Sequence, residues 1–357
     1  MGIFSNVLKD SESLFMDDVA LDYDYMPKLM PYREQEQFKI ASCIKPLFAE
    51  RNGKNVFVYG KPGIGKTLAI RHILRELEEE TDDIIPLYVN CWQKNTTYKV
   101  LLELCDLLGY RFTQNKKTED LFAIVKDIVN KKSAVFVFDE VDKSEELDVL
   151  YTLSEQIYRK SIIMITNFSA WMENMDMRVR SRLTPELVEF RAYNSAETKG
   201  ILQNRVKYAF QPNVWQDDAF NRVADKTSIL QDIRSGLYLL RESGNAAEER
   251  SSRKIELADV DIAEKKLESF NIKKSTDLDD ESQKILTLVR AEAGSGEKIG
   301  ELYKKYSGDI TYKTFQRKID KLSKNKFIST EKIPGGKEGK TTIVKSSAVD
   351  KKLDDFK

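Results

Sequence analysis

Eight consecutive residues, Gly60-Lys61-Pro62-Gly63-Ile64-Gly65-Lys66-Thr67, fit the pattern G-x-x-x-x-G-K-[ST]. Glycines in such a loop let backbone N–H groups turn inward around phosphate oxygens, and the helix that follows adds the positive end of its dipole. Lys66 is expected to reach the β- and γ-phosphates, and Thr67 to ligate Mg²⁺, with the nucleotide-binding stretch running on through Leu68. A second apolar run, Val135-Phe136-Val137-Phe138, ends in Asp139-Glu140. Asp139 is expected to hold Mg²⁺, and Glu140 to act as the general base that polarises an attacking water. A third apolar run ends at Asn167, placed to sit between the carboxylates and the phosphate loop and to position that water. The chemistry these residues suit is the binding and hydrolysis of ATP to ADP with Mg²⁺.

Such groups converge only if a sheet brings them to one edge. Residues 55–59, 85–90, 134–138, 162–166 and 187–190 are short, apolar and β-branched, and the stretches between them are helix-length and periodic. That alternation predicts an α/β domain with a largely parallel sheet, whose strand carboxyl ends face the ligand crevice. After residue 195 the strands stop. Residues 197–209, 215–227, 229–249 and 257–270 read as four helices, and the polar stretch 271–280 as a linker. The expected organisation is an α/β nucleotide-binding domain over 1–192, a helical lid over 193–274 and a winged-helix DNA-binding domain over 275–357.

Composition excludes other classes. The chain has 357 residues, 41% hydrophobic and 32% charged, as in a globular protein with real cores. One histidine, His72, argues against histidine-based metal or triad chemistry. Three scattered cysteines, Cys43, Cys91 and Cys105, show no ligand spacing and read as free or buried thiols. No apolar run approaches the ~20 residues of a membrane span, and the first ten residues lack the apolar core of a signal peptide. The expected location is the cytoplasm, in association with the nucleoid.

The 58 basic and 58 acidic residues cancel, but unevenly along the chain. Residues 1–30 hold six acids and two bases, whereas residues 301–345 hold twelve bases and five acids, a net of +7. Within that basic module, Tyr312, Phe315, Ile319 and Leu322 fall on one helical face, and Lys313, Arg317, Lys321 and Lys324 form a stripe on another. A preceding helix over 297–306, a turn at 307–309, and two strands over 327–332 and 341–345 complete a winged helix. Its second helix is expected in the major groove of duplex DNA, with Lys337 and Lys340 at the wing tip. Arg317 is the candidate for a guanine edge.

The order of parts resembles an AAA+ ATPase, and more narrowly the archaeal origin-recognition and helicase-loading initiators, over essentially the whole chain. Beyond the motifs above, the resemblance rests on residues 26–36 (MPKLMPYREQE), on Asn90-Cys91-Trp92-Gln93-Lys94-Asn95-Thr96, and on Val141-Asp142-Lys143-Ser144. It implies that the segment with Tyr25 and Arg33 helps to enclose the nucleotide base. It also implies that Arg182 is an arginine finger for a neighbouring subunit's nucleotide, with Arg178 as the nearby alternative, and that Arg234 is the lid arginine that senses the γ-phosphate. The family usually shows Gly-Asp-Ala-Arg-Arg where this chain has Gln231-Asp232-Ile233-Arg234-Ser235. Residues 109–120, with Lys116 and Lys117, lie where the family inserts a helical DNA-contacting element. The implied function is an ATP-dependent replication initiator with slow turnover, whose partners are origin duplex DNA, the replicative MCM helicase and a second initiator copy or paralogue. The competing readings are a DNA-binding transcriptional regulator or plasmid-type initiator on the same fold, and a clamp-loader-like or transposition ATPase.

Overall fold

The computed structural model describes residues 13–28, 30–276, 280–292, 296–306, 308, 310–324, 328–333 and 341–346. The chain divides into two compact units, residues 1–264 and 265–357.

The first unit opens with α1 Glu34–Ile44, followed by β1 Val56–Tyr59, α2 Lys66–Glu80, β2 Ile84–Asn90, α3 Thr97–Leu107, α4 Thr118–Val129 and β3 Ser133–Asp139. Then come α5 Asp148–Gln156, β4 Lys160–Thr166, α6 Met177–Leu183 and β5 Glu186–Glu189. The strands form one parallel sheet in the order β2-β3-β4-β1-β5. β3 is buried at every position, as a central parallel strand covered on both faces must be. Its residues alternate between two cores. Ala134, Phe136 and Phe138 pack with α3, α4 and α5, whereas Val135 and Val137 pack with α1 and α2. All five expected strands are present, each within about two residues of its expected ends.

Four lid helices complete this unit: α7 Ser195–Ala209, α8 Asp217–Leu230, α9 Ile233–Glu249 and α10 Leu257–Thr276, the last continuing beyond residue 264. Asn194 and Glu197 form a reciprocal capping box at the start of α7. The third lid helix begins at Ile233 rather than at residue 229. Gln231 takes a left-handed backbone (φ 55°) that ends α8, and the Asp232 carboxylate caps α9 by accepting from the Arg234 N–H. The expected linker over 271–280 is helical as far as Thr276, since that stretch is polar yet holds neither glycine nor proline. Ahead of the core, residues 14–22 bind the lid: the Met16 N–H donates to the Ala209 carbonyl at 2.8 Å, and the Phe15 ring packs on Phe210.

The second unit contains α11 Asp280–Glu292, β6 Glu297–Lys298, α12 Ile299–Lys305, α13 Tyr312–Lys324, β7 Ile328–Ile333 and β8 Thr341–Ser346. The strands form an antiparallel sheet in the order β6-β8-β7, which is winged-helix topology. The helix expected over 297–306 starts at Ile299, because Glu297 and Lys298 pair with β8. α11 was not read as a separate helix. It supplies Ile285, Leu286 and Val289 to a core shared with Leu302, Phe315, Ile319 and Leu322.

Candidate functional site

β1, β3 and β4 end side by side, with β4 between the other two, so the phosphate loop, Asp139 and Asn167 meet at one edge of the sheet. The loop turns through two left-handed glycines, Gly63 (φ 74°) and Gly65 (φ 87°), and Gly65 caps the N-terminus of α2. Gly63 is held doubly: a Cβ there would fall 1.9 Å from Asp232 Oδ1. The lid therefore lies directly against the loop. The Ile233 N–H donates to the Gly63 carbonyl at 3.1 Å, and Lys61 Nζ donates to Gln231 Oε1 at 2.6 Å. Gln231 holds a left-handed backbone, which costs about 1–2 kcal/mol for a residue with a Cβ. Its amide gains the Lys61 contact in exchange.

Lys66 is 6% exposed, and its ammonium donates to the Gly60 and Lys61 carbonyls and to Asn167 Oδ1, all at 2.8 Å. Burial lowers its pKa to about 8; Asp139 opposes that shift and Arg234 adds to it. The Asp139 carboxylate is almost enclosed. Its Oδ1 accepts from the Glu140 N–H at 2.8 Å, and its Oδ2 from the Thr67 hydroxyl at 2.7 Å. Glu140 has a left-handed backbone (φ 53°), and both burial and the neighbouring Asp139 and Asp142 carboxylates raise its pKa. A group tuned upward in this way suits a general base better than an ordinary surface carboxylate. The paired Thr67 and Asp139 oxygens form an oxygen-only donor set, which fits a hard cation such as Mg²⁺.

These groups line a cavity of about 640 Å³ within the first unit, a volume in the range of small-ligand sites. Its lining comes from the loop side, with Lys66, Thr67, Leu68, Asp139, Glu140 and Asn167, and from the lid, with Arg205, Tyr208, Ile233 and Arg234. Tyr23, Asp24, Pro27, Lys28, Met30 and Pro31 of the N-terminal segment complete it.

The chain matches the model of an AAA domain over residues 49–167 and that of a Cdc6 AAA+ ATPase-type lid domain over residues 199–265. An ORC1-type DNA replication protein 2 from Methanosarcina acetivorans is 29% identical, over 96% of this chain and 95% of that protein. An ORC1-type DNA replication protein 1 from Sulfurisphaera tokodaii is also 29% identical, over 93% and 89%. The Aeropyrum pernix ORC1 protein, solved in complex with DNA, superposes with a TM-score of 0.73 at 25% identity, over 94% of this chain and 95% of that one. The chain belongs to the Orc1/Cdc6 family of AAA+ proteins. Cdc6p from Pyrobaculum aerophilum, at 17% identity and a TM-score of 0.65, shares the fold.

Against an Orc1/Cdc6 template the expected residues separate into groups. The Gly60–Leu68 stretch, Asp139, Glu140, Asn167 and Arg234 come together, although Lys61 points to the lid and Ile64 is buried beneath the loop. The Arg234 guanidinium forms no ion pair among the described residues. Arg182 is exposed on α6, outside the cavity, and pairs with Glu155 at 3.3 Å, while Arg178 pairs with Asp176. Tyr25 and Arg33 do not line the cavity, contrary to their assignment to the nucleotide. Arg33 is fully buried, and its guanidinium donates to the Tyr193 hydroxyl, to Glu36 and to the Ile64 and Arg191 carbonyls. It braces the phosphate loop from behind. The Tyr25 ring lies beneath Arg205, whose guanidinium donates to the Tyr25 and Ala20 carbonyls.

Arg71 and Arg205, which line the cavity, and Tyr88, which donates to Asp139, carry no assignment in the sequence reading. Arg71 sits one turn beyond Thr67 on α2, and Tyr88 lies two residues before Asn90, which pairs with Asp139 in register. Those two spacings were the available signals. Residues 109–117 form a loop rather than a helix, since Gly109 (φ 77°) and Asn115 (φ 58°) interrupt it, and α4 starts at Thr118.

In the second unit, Phe315, Ile319 and Leu322 are fully buried, while Tyr312 sits at the rim, 39% exposed. Lys313, Arg317 and Lys321 stand exposed along the opposite face of α13. The Lys324 side chain, Lys337 and Lys340 lie outside the described residues.

Proposed function

We propose that this protein is an ATP-dependent initiator of DNA replication that binds duplex origin DNA and recruits or loads the replicative MCM helicase, with slow hydrolysis as a switch. One observation carries the reading: a cavity lined by the phosphate loop, Asp139, Glu140 and Asn167 shares a chain with a winged helix whose α13 exposes Lys313, Arg317 and Lys321. The names of the relatives and the DNA-bound state of the Aeropyrum pernix protein support it.

In this mechanism the loop N–H groups and Lys66 hold the β- and γ-phosphates, exchanging loop carbonyls for phosphate oxygens. Thr67 and Asp139 would hold Mg²⁺, which would neutralise phosphate charge when bound. Glu140 takes the proton of the attacking water as its oxygen bonds to the γ-phosphorus, and ADP leaves. Asn167, fixed through Lys66, positions that water, and Arg234 contributes charge from the lid. Arg182 reaches the nucleotide of a second copy; leaving Glu155 costs little, because exposed ion pairs contribute about 0–1 kcal/mol.

Duplex affinity tests the DNA half directly. Plotted as log K against log salt, binding is expected to fall by about 0.9 per neutralised phosphate. Lys313→Ala and Lys321→Ala should each flatten that slope by about 1. Arg317→Ala should weaken binding to the preferred sequence by about 1–3 kcal/mol more than binding to unrelated duplex. Salt-insensitive binding, or variants without effect, would remove α13 from the interface.

A further inference from the structure

Tyr88 has no place in the phosphate-loop chemistry, yet its hydroxyl donates to Asp139 Oδ2 at 2.7 Å. That is the same oxygen that accepts from Thr67 Oγ1. Asp139 Oδ1 is already committed to the Glu140 N–H, so the orientation of the carboxylate depends on what holds Oδ2. Thr67 can donate its O–H to Oδ2 and still offer an Oγ1 lone pair to a cation, so two hydroxyls hold that oxygen. Of the two, the Tyr88 phenol is the one with no part in ligating the cation. It is itself fixed: β2 pairs with β3 in register, Tyr88 opposite Val137, and the Arg71 guanidinium lies 4.7 Å from the centre of its ring. Arg71 in turn pairs with Asp24, on the N-terminal segment that lines the cavity.

We propose that Tyr88 is a positioning residue for the divalent cation: its hydroxyl, together with that of Thr67, keeps the Asp139 carboxylate aimed at the cation. The proposal rests on the reading of Asp139 as the cation's carboxylate. Groups that hydrogen-bond to metal ligands typically change metal affinity or activity about 10- to 100-fold when removed, so the effect should be readable in binding alone. Through Arg71, the same phenol is linked to Asp24 of the N-terminal segment that lines the cavity.

The test is a Mg²⁺ titration of the binding of a fluorescent, non-hydrolysable ATP analogue to the full chain, with wild type, Tyr88→Phe and Asp139→Asn compared. In EDTA, Tyr88→Phe should bind the analogue within about twofold of wild type, because the phosphate loop is untouched; its half-saturating Mg²⁺ should rise about 10-fold. Asp139→Asn should lose most of the Mg²⁺ dependence. If Tyr88→Phe keeps the wild-type Mg²⁺ midpoint while Asp139→Asn loses the dependence, the role of Tyr88 is overturned and the site stands. If Tyr88→Phe also loses affinity in EDTA, Tyr88 is a structural support only and the proposal fails. If Asp139→Asn titrates like wild type, the cation site itself is misplaced, and the Tyr88 proposal falls with it.

Discussion

Glu140→Gln is expected to bind ATP as tightly as the wild type and to hydrolyse it about 10²- to 10⁴-fold more slowly, the range that a positioned general base contributes. The substitution keeps the shape of the side chain but removes its charge and its ability to accept the water's proton. Binding is spared because Glu140 lies beside the loop rather than within it; its backbone N–H, which holds Asp139, is unchanged. The raised pKa gives a second signature. A general base must be ionised, so hydrolysis should be lost as pH falls through the pKa of Glu140, at a higher pH than an ordinary glutamate would give. Single-turnover hydrolysis over a pH series, alongside nucleotide binding, checks both points. A variant that loses binding would reassign Glu140 to the binding surface.

Lys66→Ala should act on affinity instead. The ammonium is buried and donates to three acceptors at the mouth of the loop, where phosphate oxygens would compete for the same donors. Charged hydrogen bonds contribute about 1.5–3 kcal/mol, which corresponds to a loss of roughly 10- to 150-fold in nucleotide affinity. Because burial brings its pKa down to about 8, the wild-type affinity should be full below that pH and decline as pH rises above it, when the free lysine gives up its proton. Equilibrium binding across pH 6 to about 10 for both proteins should show that decline in the wild type and its absence in Lys66→Ala. Unchanged affinity in the variant would overturn the role of the loop.

Much of this site could be read from the chain because its information is local. The phosphate loop is a continuous motif between a strand and a helix, and Asp139-Glu140 ends a run so apolar that only a central strand accommodates it. The stripe on α13 is likewise a single-helix pattern. What was misread depends on contacts distant in sequence. Arg33 follows closely on the cavity-lining Met30 and Pro31, but Tyr193, 160 residues later, and the Ile64 carbonyl draw its guanidinium under the loop. The meaning of Tyr88 depends on the register of β2 against β3. The start of α9 turned on Gln231 adopting a left-handed backbone that its residue type does not announce. Arg205 reads as an ordinary polar residue of a lid helix until the N-terminal segment is seen to fold over it.

In the proposed function, ATP binding and duplex recognition serve the start of replication. Chromatin immunoprecipitation in the organism that encodes this protein, with sequencing of the bound DNA, tests it most directly. Occupancy at one or a few sites that coincide with replication origins is the expected result; occupancy spread over dozens of promoters, with none at origins, would contradict it.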